Sequence, residues 1–433
     1  MLLEALFFMN KRKGWKGITT MRSESQAPHP GMSFKEFVGL MAAMMAVGAL
    51  AIDSMLPAMQ QIGAALGVAS ANERQWIITA YMLGFGAAQI VYGTLADRYG
   101  RKPILLCGLA GYVVGSLLVG FSRSFELVLL ARGLQGVAAS ATRVIVVSVV
   151  RDCYAGRMMA RVMSLAFIVF LGVPILAPSI GQLIMLVGPW RWIFIGLAMF
   201  GAAVFLWVAL RLPETLHEDD QAPIEFFKVA EAFRVVLSNR ISVGYTLAMT
   251  LIFGGLVGFL NSAQQVFIDV FKEPRLFAVI FAGIAASIAV ASLVNARLVD
   301  RLGMRLLSHG ALLGFIAVAG IHAVVALSGF ETLWTFLILQ AAMMFCFGLL
   351  VGNFGAIAME PLGHVAGTAA SVQGFVSTIG GALIGFMIGQ SFNGTDVPLT
   401  LGFTVCGGSA LAVVLITERG KLFTNQQVLV EAA

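Results

Sequence analysis

The sequence predicts an all-α polytopic membrane protein built from two related halves of six helices each. Three observations predict this class. Hydrophobic residues make up 59% of the 433 residues, charged residues only 12%, and the mean hydropathy is +0.90. A soluble fold of that size would lack the polar surface to cover itself. The apolar residues fall in runs of about 20 or more, the length a helix needs to cross a bilayer. Finally, GTLADRYGRK at 93–102 returns in degraded form as ARLVDRLGMR at 296–305, so that Asp97-Arg98-x-Gly100 recurs 203 residues later as Asp300-Arg301-x-Gly303. Each copy is a short charged turn between apolar stretches, with glycine supplying the backbone freedom a tight turn needs.

Charge and turn clusters cut the chain into spans at 36–59, 75–96, 103–122, 126–150, 161–187 and 191–212, then 241–268, 276–299, 306–328, 331–357, 365–391 and 396–417. Of the 28 Lys and Arg residues, 21 lie in the two tails and the even-numbered loops. The odd-numbered loops hold only Arg74, Arg123, Arg191, Lys272 and Arg275, and Arg132 and Arg143 fall inside span 4. The positive-inside rule therefore places both termini in the cytoplasm. The domain plan is a cytoplasmic tail (1–33), a first bundle (34–212), a cytoplasmic linker (213–240), a second bundle (241–417) and a second tail (418–433). The linker is acidic (PETLHEDDQAP) and then amphipathic (FFKVAEAFRVVL). MLLEALFFM at the start is apolar but precedes its basic cluster and is too short to span, unlike a secretory signal. Met1 and a later residue such as Met32 both stand as candidate starts.

Other classes find little support. A net charge of +6 could suit nucleic acid, but the basic residues are scattered through short loops without stacking aromatics. Cys107, Cys153, Cys346 and Cys406 are far apart and mostly inside apolar runs, which suits small buried hydrophobes rather than disulfides or metal ligands. No CxxC, HExxH or GxSxG pattern occurs. No metal or cofactor is expected, nor an enzyme. Two homologous membrane halves point to a transporter with its site between them.

GTLADRYGRKPIL after span 2, LLARGLQG at 129–136 opening span 4 and VPILAPSIG at 173–181 in span 5 resemble the three signature motifs of the major facilitator superfamily. AIDSMLP at 51–57, VVRDCY at 149–154 and MEPLGHVAGTAASVQG at 359–374 resemble its twelve-helix drug:proton antiporters of the bicyclomycin and chloramphenicol resistance type. The resemblance covers all twelve spans and leaves out the tails. It implies the major facilitator fold, alternating access, small-molecule substrates and the proton as coupling ion.

Ionisable residues inside the membrane are the sharpest functional clues, because each is costly unless paired or hydrated. Asp53 in span 1 and Arg132 in span 4 each lie about six residues from the outer end of their spans, hence at a similar depth of roughly 9 Å. Burial opposes ionisation of Asp53 and a nearby Arg132 favours it, so its protonation could follow which side of the protein is open. The resemblance gives this pair the proton-coupling role; a fixed ion pair holding the spans together is the plainer alternative. Arg143 follows Arg132 by eleven residues, which returns to within about 20° of the same helix face. Helix 4 would then aim both cations at one wet central cavity, with Asp53, Arg132 and Arg143 touching substrate there.

The loop motif reads as a gate: Gly93, Asp97, Arg98, Gly100 and Arg101 in the first copy, Asp300 and Arg301 in the second. By resemblance, Asp97 faces the N-terminus of span 11 near 363–367, where the helix dipole favours a carboxylate. Arg101 pairs with Asp152 at the end of span 4. These contacts would lock the halves in the outward-open state and break on switching; a topogenic charge cluster is the simpler alternative. In span 5, Gly172, Pro174, Pro178 and Gly181 match the antiporter motif, with Ala177 and Gln182 departing from its glycine-rich form. Gly381, Gly385 and Gly389 in span 11 read as a packing surface. Uncharged polar groups expected on the cavity wall of the second half are Asn261, Gln264, Gln265, Asn353 and Gln373.

Together these readings predict a proton-coupled exporter of small amphipathic compounds, neutral or weakly anionic and phenicol-like, working as a monomer in the lipid bilayer without nucleic acid. A dedicated metabolite exporter or an importer of the same fold would differ in the direction of transport. A transporter-like membrane sensor would need an output domain, and the sequence offers none.

Overall fold

The structure is a computed structural model that describes residues 31–68, 70–217 and 226–423 of the 433. The expected tails and the acidic part of the linker lie partly outside these residues. Among the described residues, twelve helices are long and apolar enough to cross a membrane. They are α1 Phe34–Asp53, α2 Trp76–Tyr99, α3 Arg101–Phe121, α4 Phe125–Cys153, α5 Gly156–Val187 and α6 Arg191–Arg211, followed by α7 Arg240–Gln264, α8 Phe277–Leu302, α9 Met304–Ser328, α10 Leu333–Met359, α11 Ala366–Gln390 and α12 Val397–Thr417. No described residue is in a strand. The chain is a multi-pass membrane protein.

Local chemistry sets where these helices begin and end. Ser33, Ser124 and Asn239 accept hydrogen bonds from the first turns of α1, α4 and α7, satisfying amides that have no partner within the helix. Gly100 and Gly303 join α2 to α3 and α8 to α9 with φ of +97° and +79°, backbone conformations that side chains rarely adopt. Span 1 is interrupted where the sequence predicts one helix: α1 stops at Asp53, and the chain resumes as a 3-10 turn, Leu56–Ala58, and a short helix, Met59–Ala65. Pro57 is the cause. It has no N–H to offer the carbonyl of Asp53 four residues earlier, so the helix breaks at that carboxylic acid. α7 likewise loosens at its end into a π-turn at Gln265–Val270.

The first six helices pack around α4, which runs against α2 and α3, and the second six around α7, which contacts α10, α11 and α12. Between the two groups, α2 lies along α11 and α5 along α8. The α2–α4 contact is close enough to involve backbone. A Cβ on Gly136 would stand 2.0 Å from the carbonyl oxygen of Tyr81, and one on Gly84 would stand 2.1 Å from that of Gly133. The helix Phe226–Ser238 of the linker rests on α11 and α7, with Val236 buried against Leu362, Ala369 and Val372. Large apolar side chains such as Leu183, Leu186, Leu210 and Val324 remain exposed around the circumference, as lipid-facing positions require.

The α2–α4 seam gives a direct test. Gly136→Ala should cost about 1–3 kcal/mol through overpacking against the backbone of α2. The check is a lowered midpoint of thermal unfolding in detergent micelles.

Candidate functional site

Two faces of the helical bundle differ in chemistry. One carries the loops at 93–102 and 296–305 and is the basic face; the other carries the loops between α1 and α2 and between α7 and α8. The helix break at Pro57 places Asp53 toward the second of these. Its side chain is 6% exposed and has no hydrogen-bond or ion-pair partner among the described residues. The backbone beside it is in close contact with α5: a Cβ on Gly181 would stand 1.8 Å from the carbonyl oxygen of Ser54. Gly181 thus lets α5 reach the break in α1. Gly172 has no such neighbour, and α5 remains helical through Pro174 and Pro178.

Arg132 is fully buried, and the structure does not pair it with Asp53. Its Nε donates to the carbonyl of Ile77 at 3.2 Å and its Nη1 to Gln135 Oε1 at 2.6 Å, while Gln135 donates to Ser116 Oγ at 2.6 Å. The guanidinium lies 4.4 Å from the ring centre of Tyr81 and 5.8 Å from that of Phe194. The expected shared depth does not give contact, because Arg132 points into the first half, among α2, α3 and α6. Tyr81 stands between the two groups: its ring covers Arg132 and its hydroxyl donates to the carbonyl of Gly48 on α1 at 3.3 Å. Sequence reasoning passed over this tyrosine, because no spacing within α2 shows which of its residues covers Arg132.

Arg143 is different. It is accessible to solvent yet surrounded by protein, and it makes no hydrogen bond or ion pair with another described residue. The two arginines of α4 are therefore separated, one sealed in the first bundle and one reached by solvent within the bundle. The amides also divide. Gln265 belongs to a seal between the halves, Asn353 donates to Asn295 Oδ1 on α8 at 2.6 Å, and Gln373 donates to the carbonyl of Gly355 at 3.4 Å. Asn261 and Gln264 are buried with side-chain polar atoms that have no partner.

The seal lies at the face opposite the basic one. Gln75 donates to Gln265 Oε1 at 2.7 Å and to the carbonyl of Gly389 at 3.0 Å, and Gln265 donates to Asn72 Oδ1 at 2.8 Å. Asn72 donates to the carbonyls of Gln390 and Phe392, and Gln390 returns a bond to the carbonyl of Asn72 at 2.7 Å. Trp76 packs on Phe386 with ring centres 4.2 Å apart. Deeper in, Gln89 donates to Thr378 Oγ1 at 2.9 Å. At the basic face, no hydrogen bond or ion pair joins the halves among the described residues. The hydrogen bonds that join the halves among the described residues are therefore concentrated at the face opposite the basic one.

The charged loops on the basic face hold each half together instead of bridging the two. Arg101 is 3% exposed; it pairs with Asp97 four residues earlier and with Asp152 at 3.0 Å. Glu214, just beyond α6, accepts from the backbone N–H groups of Arg101 and Lys102 at 2.9 and 3.1 Å and so caps α3. Asp97 is thus engaged by Arg101; the side chains of 364–366, where the sequence reading placed its partner, lie outside the described residues. Arg98 is exposed without an ion pair, and Gly93 meets Ser371 of α11 at ordinary contact distance. In the second copy, Asp300 and Arg301 are exposed and pair with no described residue. The ion pairs form one step later in the motif. Arg305 reaches Glu418 at 3.1 Å and Glu360 at 3.2 Å, and Glu418 also accepts from the Tyr245 hydroxyl at 2.7 Å. All these pairs lie within one half in this state, which is sealed at the opposite face, whereas the gating reading places its bridging contacts in the outward-open state.

Comparison with known proteins agrees with this architecture. The sequence profile of the Major Facilitator Superfamily matches residues 37–385, and the chain belongs to that superfamily of membrane transporters. It is 29% identical over 358 residues to the uncharacterized MFS-type transporter YdgK of Bacillus subtilis (strain 168), covering 82% of this chain and 88% of that one. It is 27% identical over 379 residues to a bicyclomycin resistance protein homolog of Haemophilus influenzae, covering 85% of this chain and 92% of that one. Among solved structures, a D-xylose–proton symporter superimposes with a TM-score of 0.70 at 12% identity over 90% of this chain and 100% of that one, a likeness of fold.

The seal makes a prediction of its own. Gln265→Ala leaves the Gln75 and Asn72 groups short of a buried partner, a loss of about 1 kcal/mol or more and hence roughly a fivefold shift toward opening at that face. In a background with the four cysteines replaced, labelling of Ser262→Cys by a membrane-impermeant maleimide should rise accordingly.

Proposed function

We propose that the protein is a proton-coupled exporter of small amphipathic compounds in a bacterial cytoplasmic membrane, with its basic face and both termini in the cytoplasm. The observation that carries this reading is the separation of Asp53 from every cation. An unpaired carboxylate among apolar helices is costly, so Asp53 carries a proton in the sealed state or waits for water to reach it. It sits where α1 is broken and α5 touches it, next to the face that opens to the outside. A carboxyl there can take a proton from outside when the seal opens, and it can lose that proton when the cavity is wetted from the cytoplasm. Arg132 and Tyr81 shape the electrostatics of α1 from inside the first half without neutralising the acid.

Arg143 sets the substrate chemistry. A solitary cation open to solvent within the bundle suits neutral or weakly anionic ligands and disfavours lipophilic cations. Phenicol-like compounds have that chemistry, and the likeness to a bicyclomycin resistance protein homolog supports a drug as the ligand. Binding on the cytoplasmic side, closure there, opening of the glutamine seal and protonation of Asp53 would then complete one exchange.

Transport into proteoliposomes under an imposed pH gradient tests this reading across a panel of drugs. Wild type should accumulate substrate uphill, and Asp53→Asn should fall to the level of empty vesicles while still binding ligand; uphill transport surviving in Asp53→Asn would overturn the assignment. Arg143→Gln should raise KM for weakly acidic compounds roughly tenfold, the worth of one charge-assisted hydrogen bond, and leave neutral ones nearly unchanged.

A further inference from the structure

The second half contains a group of buried ionisable side chains that the transport cycle above does not use. His322 of α9 is 0% exposed, and its Nε2 lies 2.7 Å from Oε1 of Glu331, whose side chain is 5% exposed. Glu331 sits in the short connection between α9 and α10. Its carboxyl also meets that of Asp396, 6% exposed, in the turn that begins α12. All three lie at the face opposite the basic one. Both Glu331 oxygens, Asp396 Oδ2 and both His322 nitrogens lack a properly oriented hydrogen-bond partner. Gln340, fully buried with both amide atoms unpartnered, lies one turn along α10 from Phe336, which is itself in contact with His322.

Two carboxyls and an imidazole in a dry site cannot all hold their usual charges. The groups that act on one another here are the three themselves, and no Lys or Arg makes an ion pair with them among the described residues; Asp269, Lys272 and Glu273 stand at the adjoining end of α7. Among the described residues no three His, Cys, Asp or Glu side chains converge as metal ligands, so a metal ion is not the natural occupant. A proton is. Shared between the two carboxyls, it turns their repulsion into a hydrogen bond and leaves one negative charge beside His322.

The position of this group connects it to the seal. The His322 ring packs edge-on against Phe336 with centres 5.1 Å apart, and Phe336 packs on Phe267 at 5.6 Å and Phe271 at 5.3 Å. Phe267 belongs to the π-turn at Gln265–Val270, and Gln265 is a central residue of the bonds to Asn72 and Gln75. We propose that His322, Glu331 and Asp396 form a proton-binding site of the second half, distinct from Asp53, whose occupancy holds the π-turn of α7 in place and so keeps the face opposite the basic one sealed. The site would sense the acidity of the outer compartment and would not carry protons across.

The direction follows from burial. Desolvation, reinforced by the neighbouring Glu331, pushes the Asp396 carboxyl up to about 7, and desolvation raises Glu331 as well. The sealed state therefore binds a proton that the hydrated, open state releases at neutral pH. Its stabilisation is complete in acid and is lost as pH rises through about 7.

Infrared difference spectra and backbone hydrogen exchange on the full-length protein in nanodiscs, both titrated through neutral pH, test the proposal. Wild type should lose a protonated-carboxyl band near neutrality, Asp396→Asn should abolish it, Glu331→Gln should displace or abolish it, and Asp53→Asn should leave it in place. After correction for intrinsic rates, exchange in 265–276 should rise with pH by up to roughly tenfold per unit below the midpoint, the limit for one linked proton, and level off above it, and Asp396→Asn should remove that dependence. A band and an exchange profile unchanged in both Asp396→Asn and Glu331→Gln would overturn the site. The Asp53→Asn control keeps this outcome separate from failure of the transport assignment.

Discussion

An ionisable side chain held among apolar helices must be neutral, hydrated or matched by other polar groups, and the buried charges of this protein divide among those three solutions. Arg132 is matched, by Gln135, a backbone carbonyl and the faces of two aromatic rings. Arg143 is open to solvent, and Asp53 has neither a cation nor a hydrogen-bond donor among the described residues. Arg101 and Arg305 are paired with carboxylates at the basic face. Each solution commits its neighbours. Tyr81 must stand over Arg132, Gly136 must be small enough to admit α2, and Gly181 must let α5 reach the break beside Asp53.

The two faces divide the labour of a two-state transporter. At the basic face the charged loops bind each half into a unit: Asp97, Arg101, Asp152 and Glu214 in the first, Arg305, Glu360, Glu418 and Tyr245 in the second. At the other face the halves are joined by neutral amides. Amide-to-amide bonds are individually weak and exchange readily with water, which suits contacts that must break and re-form with each cycle. Ion pairs confined to one half can survive both states, and rigid halves are what a rocking motion needs.

The halves also differ more than their repeat suggests. Superimposing the two motifs matches Arg305 to Lys102, yet in space Arg305 does the work of Arg101, because its acidic partners, Glu360 and Glu418, come from the ends of α10 and α12. The second half is also not purely neutral. Counting only acids, lysines and arginines well inside spans passes over His309 and His322, both buried in α9, and over Glu331 and Asp396, which stand at the very start of the tenth and twelfth spans and just before the helices themselves.

The sequence by itself determined the number of helices, their approximate ends, the repeat, the superfamily and the residues able to carry charge inside the membrane. These are local properties: an apolar run of sufficient length must span, and Pro57 or Gly100 acts on its own few neighbours. Depth is nearly local too, which is why Asp53 and Arg132 could be placed at one level. What faces what was decided only by the tertiary structure. The small angular offset between Arg132 and Arg143, harmless on a helical wheel, becomes the difference between a sealed position and one open to solvent once α2, α3 and α6 close around α4. Likewise Gln265 looks identical to Gln264 in sequence, but only Gln265 meets Gln75 across the interface. Such choices depend on close packing between segments hundreds of residues apart, and no spacing within one segment encodes them.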